Sequence, residues 1–289
     1  VMLRNINLLA YNTYKVNATA ELVAIPENEN ELISHLQYIG STEFAVIGGG
    51  SNIILSKPDY RFPLIVLTEF NRFIRVEGNH IIAGAGVSLS SVVEAAVSNG
   101  LWGLEKLIGI PGTLGGAVYM NAGAYGQDIG SSIEWVESLD IRNHSLVRRT
   151  GEELGFSYRH SDFVNWKHEI ICSVKIALTD KAPEGENGDI RSVSLSTLRT
   201  RLAKLPYDLP NAGSVFKRPD YQYPVGKMVE DLGMKGRSVN GAMVSHMHAG
   251  IIVNTGFATG SDIQRLATEI RGAIKKNYGL DIEMEQIVL

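Results

Sequence analysis

Residues 109–126 read GIPGTLGGAVYMNAGAYG, with glycines at 109, 112, 115, 116, 123 and 126. Glycine tolerates positive φ and lets successive backbone N–H groups form a concave surface that suits an anion such as a pyrophosphate. Inside regular elements each glycine costs about 0.5–1 kcal/mol relative to alanine, so six in one stretch call for a compensating role. For any single glycine a tight turn is the simpler account; the cluster favours a bound dinucleotide. A second glycine turn, Gly48-Gly49-Gly50-Ser51-Asn52, follows the apolar run 44–47 and reads as a strand ending in a turn.

With 289 residues the chain has room for one large or two to three small domains. Its 27 basic and 31 acidic residues give a net charge of −4 without long runs of either sign, which argues against nucleic acid as a partner. The single cysteine, Cys172, excludes an intrachain disulfide and a multi-cysteine metal site. It lies in the apolar stretch 169–177, which reads as a buried strand, so a core thiol is expected rather than a nucleophile. The apolar stretch near residue 1 is too short for a signal peptide, and nowhere do about 18 apolar residues run together as a membrane span requires. These features predict a soluble, cytoplasmic protein without membrane insertion.

Strands are expected at 21–25, 44–47, 64–67, 74–76, 81–83, 133–141 and 169–178. A helix from Asn28 to Gly40 carries Leu32, Ile33, Leu36 and Ile39 on one face, and another runs from Ser88 to Gly100. Residues 180–190 are acidic and nearly devoid of apolar side chains, so they read as a linker or surface loop near a domain boundary. A helix over 193–204 leads into a second α/β unit beginning near Asn211. Its last helix is expected to open on a capping box of Ser261 and Gln264, with a stripe of Ile263, Leu266, Ala267, Ile270 and Ile274 and a stop at Gly279. The tail 281–289 reads as a strand, with Glu283 and Glu285 on one face and Ile282 and Met284 on the other.

The nearest Rossmann fingerprint, Gly84-Ala85-Gly86, lacks the third glycine and reads as a structural turn; no GxxxxGK[ST] P-loop occurs. A dinucleotide site of another kind remains, built from two glycine turns about sixty positions apart. Here the chain resembles a known family. The strings 46–53 (VIGGGSNI), 103–117 (GLEKLIGIPGTLGGA), 120–126 (MNAGAYG), Tyr158-Arg159, 212–217 (AGSVFK) and Glu283-Met284-Glu285 are similar to those of UDP-N-acetylenolpyruvoylglucosamine reductases, in family order and over nearly the whole chain.

The resemblance implies an α+β protein with a vanillyl-alcohol-oxidase-like FAD-binding fold. It divides the chain into FAD-binding subdomains 1–68 and 69–195 and a C-terminal α/β substrate-binding domain 196–289, whose last strand could return to the FAD-binding part. It assigns Ile47, Gly48, Gly49, Gly50, Ser51, Asn52, Gly109, Ile110, Pro111, Gly112, Thr113, Gly115, Gly116, Ala117, Asn121, Ala122 and Gly123 to FAD. Neither loop holds His or Cys, so the FAD is expected to be non-covalent. Members of the family use NADPH as hydride donor and reduce an enol ether. By resemblance Arg159 would hold and polarise the substrate carboxylate, Ser214 would protonate the α-carbon beside the cation Lys217, and Glu285 would stabilise or relay charge. Tyr158, Lys217, Arg218, Lys227 and His248 would bind the UDP-sugar, with Lys235 a further phosphate partner.

Each assignment has a plainer rival: a turn-capping Arg159, a turn serine at 214, solvated acids at 283 and 285. His246 and His248 have no carboxylate close in sequence, so no metal is expected. The segment 12–18 lacks the family's pair of glycines after its Val, and Arg218 stands where many relatives have Asn. The stretch from Arg159 to Ser214 lacks the tyrosine-bearing lid loop of one subgroup, so the chain resembles the subgroup without it. Two other readings stay open: an FAD-dependent oxidase or dehydrogenase of an alcohol or hydroxy acid on the same scaffold, and a nucleotide-binding module without turnover.

Overall fold

The apolar run around Cys172 forms the strand Glu169–Ala177, buried from Ile170 to Val174. A strand buried on both faces needs neighbours on both edges, and it is central in a five-stranded antiparallel sheet. The order is Ser145–Thr150, Ile133–Asp140, Glu169–Ala177, His80–Gly84, Ile74–Glu77. The Cys172 thiol is fully buried and bonds the Ile170 carbonyl, and desolvation pushes its pKa far up, so it stays an inert thiol. The computed structural model describes residues 1–186, 188–219 and 223–289; Asn187 of the predicted linker lies outside the described residues.

Two compact units divide the chain. The first comprises residues 1–2, 24–49 and 64–201. Besides the large sheet it holds the parallel pair Ala45–Ile47 and Leu64–Val66 and the helix Glu29–Ile39, which starts on the Asn28 side chain and stops at Gly40 as the sequence predicts. Helix Leu89–Ser98 is capped by Ser88, and a short helix Leu114–Tyr119 by Thr113. Gly84 and Gly86 are packed against the backbone of Asn71 and Phe70, where a Cβ would lie 1.4 and 2.2 Å from carbonyl oxygens. Their role is close packing within the unit.

The second unit comprises residues 3–23, 50–63 and 202–289. Its antiparallel sheet has the order Asn211–Ser214, Ile251–Asn254, Ala242–Val244, Ser238–Val239. Helix Gly260–Tyr278 packs on this sheet through Ile263, Leu266, Ala267, Ile270 and Ile274, all buried. Full burial of each larger aliphatic side chain in that stripe contributes about 1.5–3 kcal/mol. The strand Ile287–Val288 pairs in parallel with Ile53–Ile54, and Thr19–Ala20 pairs in parallel with Asp59–Tyr60.

Three local expectations are corrected. The capping box of the last helix is Thr259 with Asp262, not Ser261 with Gln264: each residue's side chain bonds the other's backbone N–H. The helix begins earlier because Gly260, whose Cβ would lie 1.7 Å from the Leu55 carbonyl, permits that approach. The predicted helix 193–204 spans Ile190–Lys204, since the Asp189 carboxylate accepts from the N–H groups of Arg191 and Ser192. The predicted tail strand is reduced to a bridge at Met284 and the strand Ile287–Val288, because Gln286 turns into the core between them.

Candidate active site

In the first unit the strand Ala45–Ile47 delivers Gly48 and Gly49 onto the turn at Gly112-Thr113. A Cβ on Gly48 would lie 2.6 Å from Thr113 Oγ1 and one on Gly49 would lie 2.7 Å from Gly112 Cα, so the two glycine segments touch only because side chains are missing. Beside them Gly116 is exposed, and outside its own helix the one described atom within 4 Å of where its Cβ would be is Thr113 Oγ1. This bare backbone surface is the kind of cradle a pyrophosphate needs, and the residues fit an FAD.

The assigned residues are not alike, however. Gly48, Gly49, Ile110, Pro111, Gly112, Gly116 and Gly123 keep accessible surface, whereas Ile47, Thr113, Ala117, Asn121 and Ala122 are buried. Gly115 donates its N–H to the Ala85 carbonyl, and the Gly109 carbonyl accepts from Arg201. Glu105, missed in the sequence, is buried and accepts from the Gly103 N–H and the Gln127 amide, which shapes the turn leading into the loop.

Arg159 sits at the tip of a tight turn. Ser157 and His160 exchange two backbone hydrogen bonds of 3.1 Å, leaving Tyr158 and Arg159 between them. Arg159 has φ +54°, unusual for a residue with a long side chain, and donates from Nη2 to the Gly123 carbonyl at 2.7 Å. Its guanidinium also lies 5.1 Å from the centroid of the exposed Tyr158 ring.

In the second unit the segments around Ser214 and Glu285 run antiparallel. The Glu285 N–H bonds the Val215 carbonyl and the Lys217 N–H bonds the Glu283 carbonyl, both at 2.9 Å, about a bridge between Phe216 and Met284. Ser214 is exposed and Glu285 half-buried. Asn52, read as a cofactor contact, donates its side-chain amide to the Glu285 carbonyl, and Gly50 packs against the Tyr11 backbone; Ser51 is half-buried. Lys217 forms an ion pair with Glu283 at 3.2 Å, so its partner is that carboxylate rather than the Ser214 hydroxyl. Arg218 is exposed.

Gln286 is the residue the sequence reading missed here. It is buried, accepts from the Tyr14 hydroxyl and donates to the Ala212 and Gly213 carbonyls, fixing the backbone just before Ser214. Its signal was present: period two puts it on the face of Ile282 and Met284, and a polar side chain on an apolar face needs partners.

Lys227, Glu230, Lys235 and His248 line a cavity of about 170 Å³ within this unit. Lys227 pairs with Asp231 at 2.6 Å and Lys235 with Glu230 at 2.7 Å. Those bonds hold both carboxyls below their ordinary range and raise Lys227. Desolvation lowers the His248 pKa, against a backbone hydrogen bond that raises it, and its Nδ1 accepts from the Gly250 N–H. A larger cleft of about 280 Å³, lined by Arg4, Glu21, Asp59 and Arg61, contains none of the expected residues. Among the described residues no three His, Cys, Asp or Glu side chains group as metal ligands, and no helix is long and apolar enough to cross a membrane.

Residues 20–145 match the FAD binding domain model, and residues 205–289 match the C-terminal domain of UDP-N-acetylenolpyruvoylglucosamine reductase. The chain is 38% identical over 277 residues to the protein of that name from Caldanaerobacter subterraneus, covering 95% of this chain and 89% of the relative. It is 36% identical over 286 residues to the Francisella tularensis protein of the same name, covering 98% and 99%. The crystal structure of the Thermus caldophilus reductase superposes with a TM-score of 0.81 at 29% identity, covering 100% of this chain and 99% of that one.

Proposed function

Since the chain belongs to the UDP-N-acetylenolpyruvoylglucosamine reductase family, we infer that it reduces the enolpyruvyl group of UDP-N-acetylglucosamine enolpyruvate to give UDP-N-acetylmuramate for peptidoglycan precursor synthesis. FAD, held non-covalently, would supply the hydride-transfer chemistry, with NADPH as the donor and the β-carbon of the enol ether as the acceptor. The glycine segments 48–49 and 112–116 would hold its pyrophosphate. Hydride at the β-carbon leaves an electron pair on the α-carbon, delocalised into the neighbouring carboxylate. Arg159 holds that carboxylate and offsets its growing charge, Ser214 gives its hydroxyl proton to the α-carbon, and Glu285 stabilises or relays charge. Tyr158, Arg218 and Lys217 contact the sugar nucleotide. In the Lys227 and Lys235 cavity, His248 offers an Nε2–H to a phosphate oxygen.

We further read the chain as FAD-binding subdomains 1–68 and 69–195 with a substrate domain 196–289, in the subgroup without the tyrosine lid, acting in the cytoplasm where NADPH and nucleotide sugars are made. The observation that supports the reading is the match to reductases of this family over nearly the whole chain, 36% identity covering 98% of it for the Francisella tularensis protein. The test is steady-state turnover of the FAD-loaded protein with product identified by mass. Beyond the one equivalent that reduces the bound flavin, NADPH should be consumed only when the enolpyruvyl sugar is present, yielding UDP-N-acetylmuramate. Equal consumption without the sugar, or none with it, would overturn the reading.

A further inference from the structure

We propose that Asn121 is a positioning residue for Arg159 rather than a contact of the cofactor. Asn121 is 2% exposed. Its Oδ1 accepts from the Gly130 N–H at 2.9 Å and its Nδ2 donates to the Ser157 carbonyl at 2.8 Å. Both partners are backbone groups of fixed polarity, so the amide has one satisfactory orientation and both its polar atoms are engaged inside the unit. Its own φ of +48° is one asparagine tolerates better than other side chains.

The bond to Ser157 lands on the base of the turn that carries Arg159 at its tip. Two residues beyond Asn121, the Gly123 carbonyl accepts from the Arg159 guanidinium itself. The stretch 121–123 therefore grips the turn at its base and the side chain at its end. On the far side of the turn Ser161, fully buried, donates to the Tyr119 carbonyl at 2.7 Å, at the end of helix Leu114–Tyr119. Arg159 is in a backbone conformation its side chain disfavours, and such a geometry persists only where its surroundings over-determine it. Asn121 and Ser161 do so here, holding the guanidinium in one direction before substrate arrives.

This inference rests on Arg159 as the cation for the substrate carboxylate. Asn121→Asp keeps shape and the acceptor for Gly130 but turns the donor toward Ser157 into an oxygen facing an oxygen. Anaerobic stopped-flow on the FAD-loaded variant should show reduction by NADPH within about twofold of wild type and reoxidation by UDP-N-acetylglucosamine enolpyruvate slowed by roughly 10- to 100-fold, the loss expected of a misplacement near 1 Å. Amide exchange in peptides spanning 157–161 should quicken, and in an Arg159→Ala background the added substitution should cost nothing more. Ser161→Ala should reproduce the pattern more weakly and stands in if the aspartate variant does not fold. Slowed reduction or lost FAD would make Asn121 a cofactor contact, and full additivity with Arg159→Ala or unchanged exchange would make it unrelated to Arg159; either result overturns the proposal. A wild-type protein not reoxidised by the sugar would instead sink the functional reading, while the exchange data would still judge the Asn121 tie.

Discussion

Arg159 and Glu285 are held in opposite ways. The arginine rides a turn tied to its surroundings by side chains, Asn121 on one flank and Ser161 on the other, whereas the segment of Glu285 is tied mainly by backbone bonds, from its own N–H to the Val215 carbonyl and from the Lys217 N–H to the Glu283 carbonyl. Backbone pairing does not depend on the exposed side chains along it, and Ser214 is exposed. A turn gripped by side chains has no such tolerance, because each tie is one substitution from being lost. The difference teaches where catalytic and structural effects should separate: cleanly around residues 214 and 285, and hardly at all around 121 and 161.

The largest expected effect is at the tip of the turn. Arg159→Ala should slow substrate-driven reoxidation by about 10³-fold, the scale of losing a preorganised charge partner, with FAD reduction by NADPH preserved in the same stopped-flow trace. Ser214→Ala should slow reoxidation by about 10²-fold, as removal of a positioned proton donor does, and leave the melting temperature where it was. A drop in melting temperature would break the comparison, since the pairing there is meant to be independent of side chains. Gln286→Leu is the exception that sharpens it. Its loss strands the buried Tyr14 hydroxyl and two carbonyls, so chemical denaturation should show a loss of about 2–3 kcal/mol.

The smallest effect is at His248. Its folded pKa is depressed by burial, so it binds a proton less readily folded than unfolded. The stability this represents is present above the ordinary histidine pKa near 6.5 and declines as pH falls below it. The melting temperature of His248→Gln relative to wild type should therefore rise as pH is lowered from 7 to 5. A flat difference across that range would mean the ring is not desolvated.

Much of this was legible in the residues. The buried strand around Cys172, the helix from Asn28 to Gly40 and the apolar stripe of the last helix follow from periodicity, which is a local signal. The glycine segments read as a cradle for an anion, and the structure shows that Gly48 and Gly49 meet Gly112 and Thr113. What stayed hidden depends on partners distant in sequence. Thr259 rather than Ser261 caps the last helix because Gly260 must reach Leu55, more than two hundred residues earlier. Gln286 breaks the tail strand because Tyr14 and the turn at Ala212 wait for it. Asn121 looked like one more small residue in a cofactor loop, since nothing in its neighbourhood of the sequence names Ser157 as its acceptor.

The most direct test of the account follows the yellow colour of the FAD-loaded wild-type protein through one anaerobic cycle. NADPH should bleach it, the colour should persist lost when buffer is added, and UDP-N-acetylglucosamine enolpyruvate should restore it with one equivalent of UDP-N-acetylmuramate formed. Colour that fails to bleach with NADPH, or that returns with oxygen but not with the enolpyruvyl sugar, would contradict it.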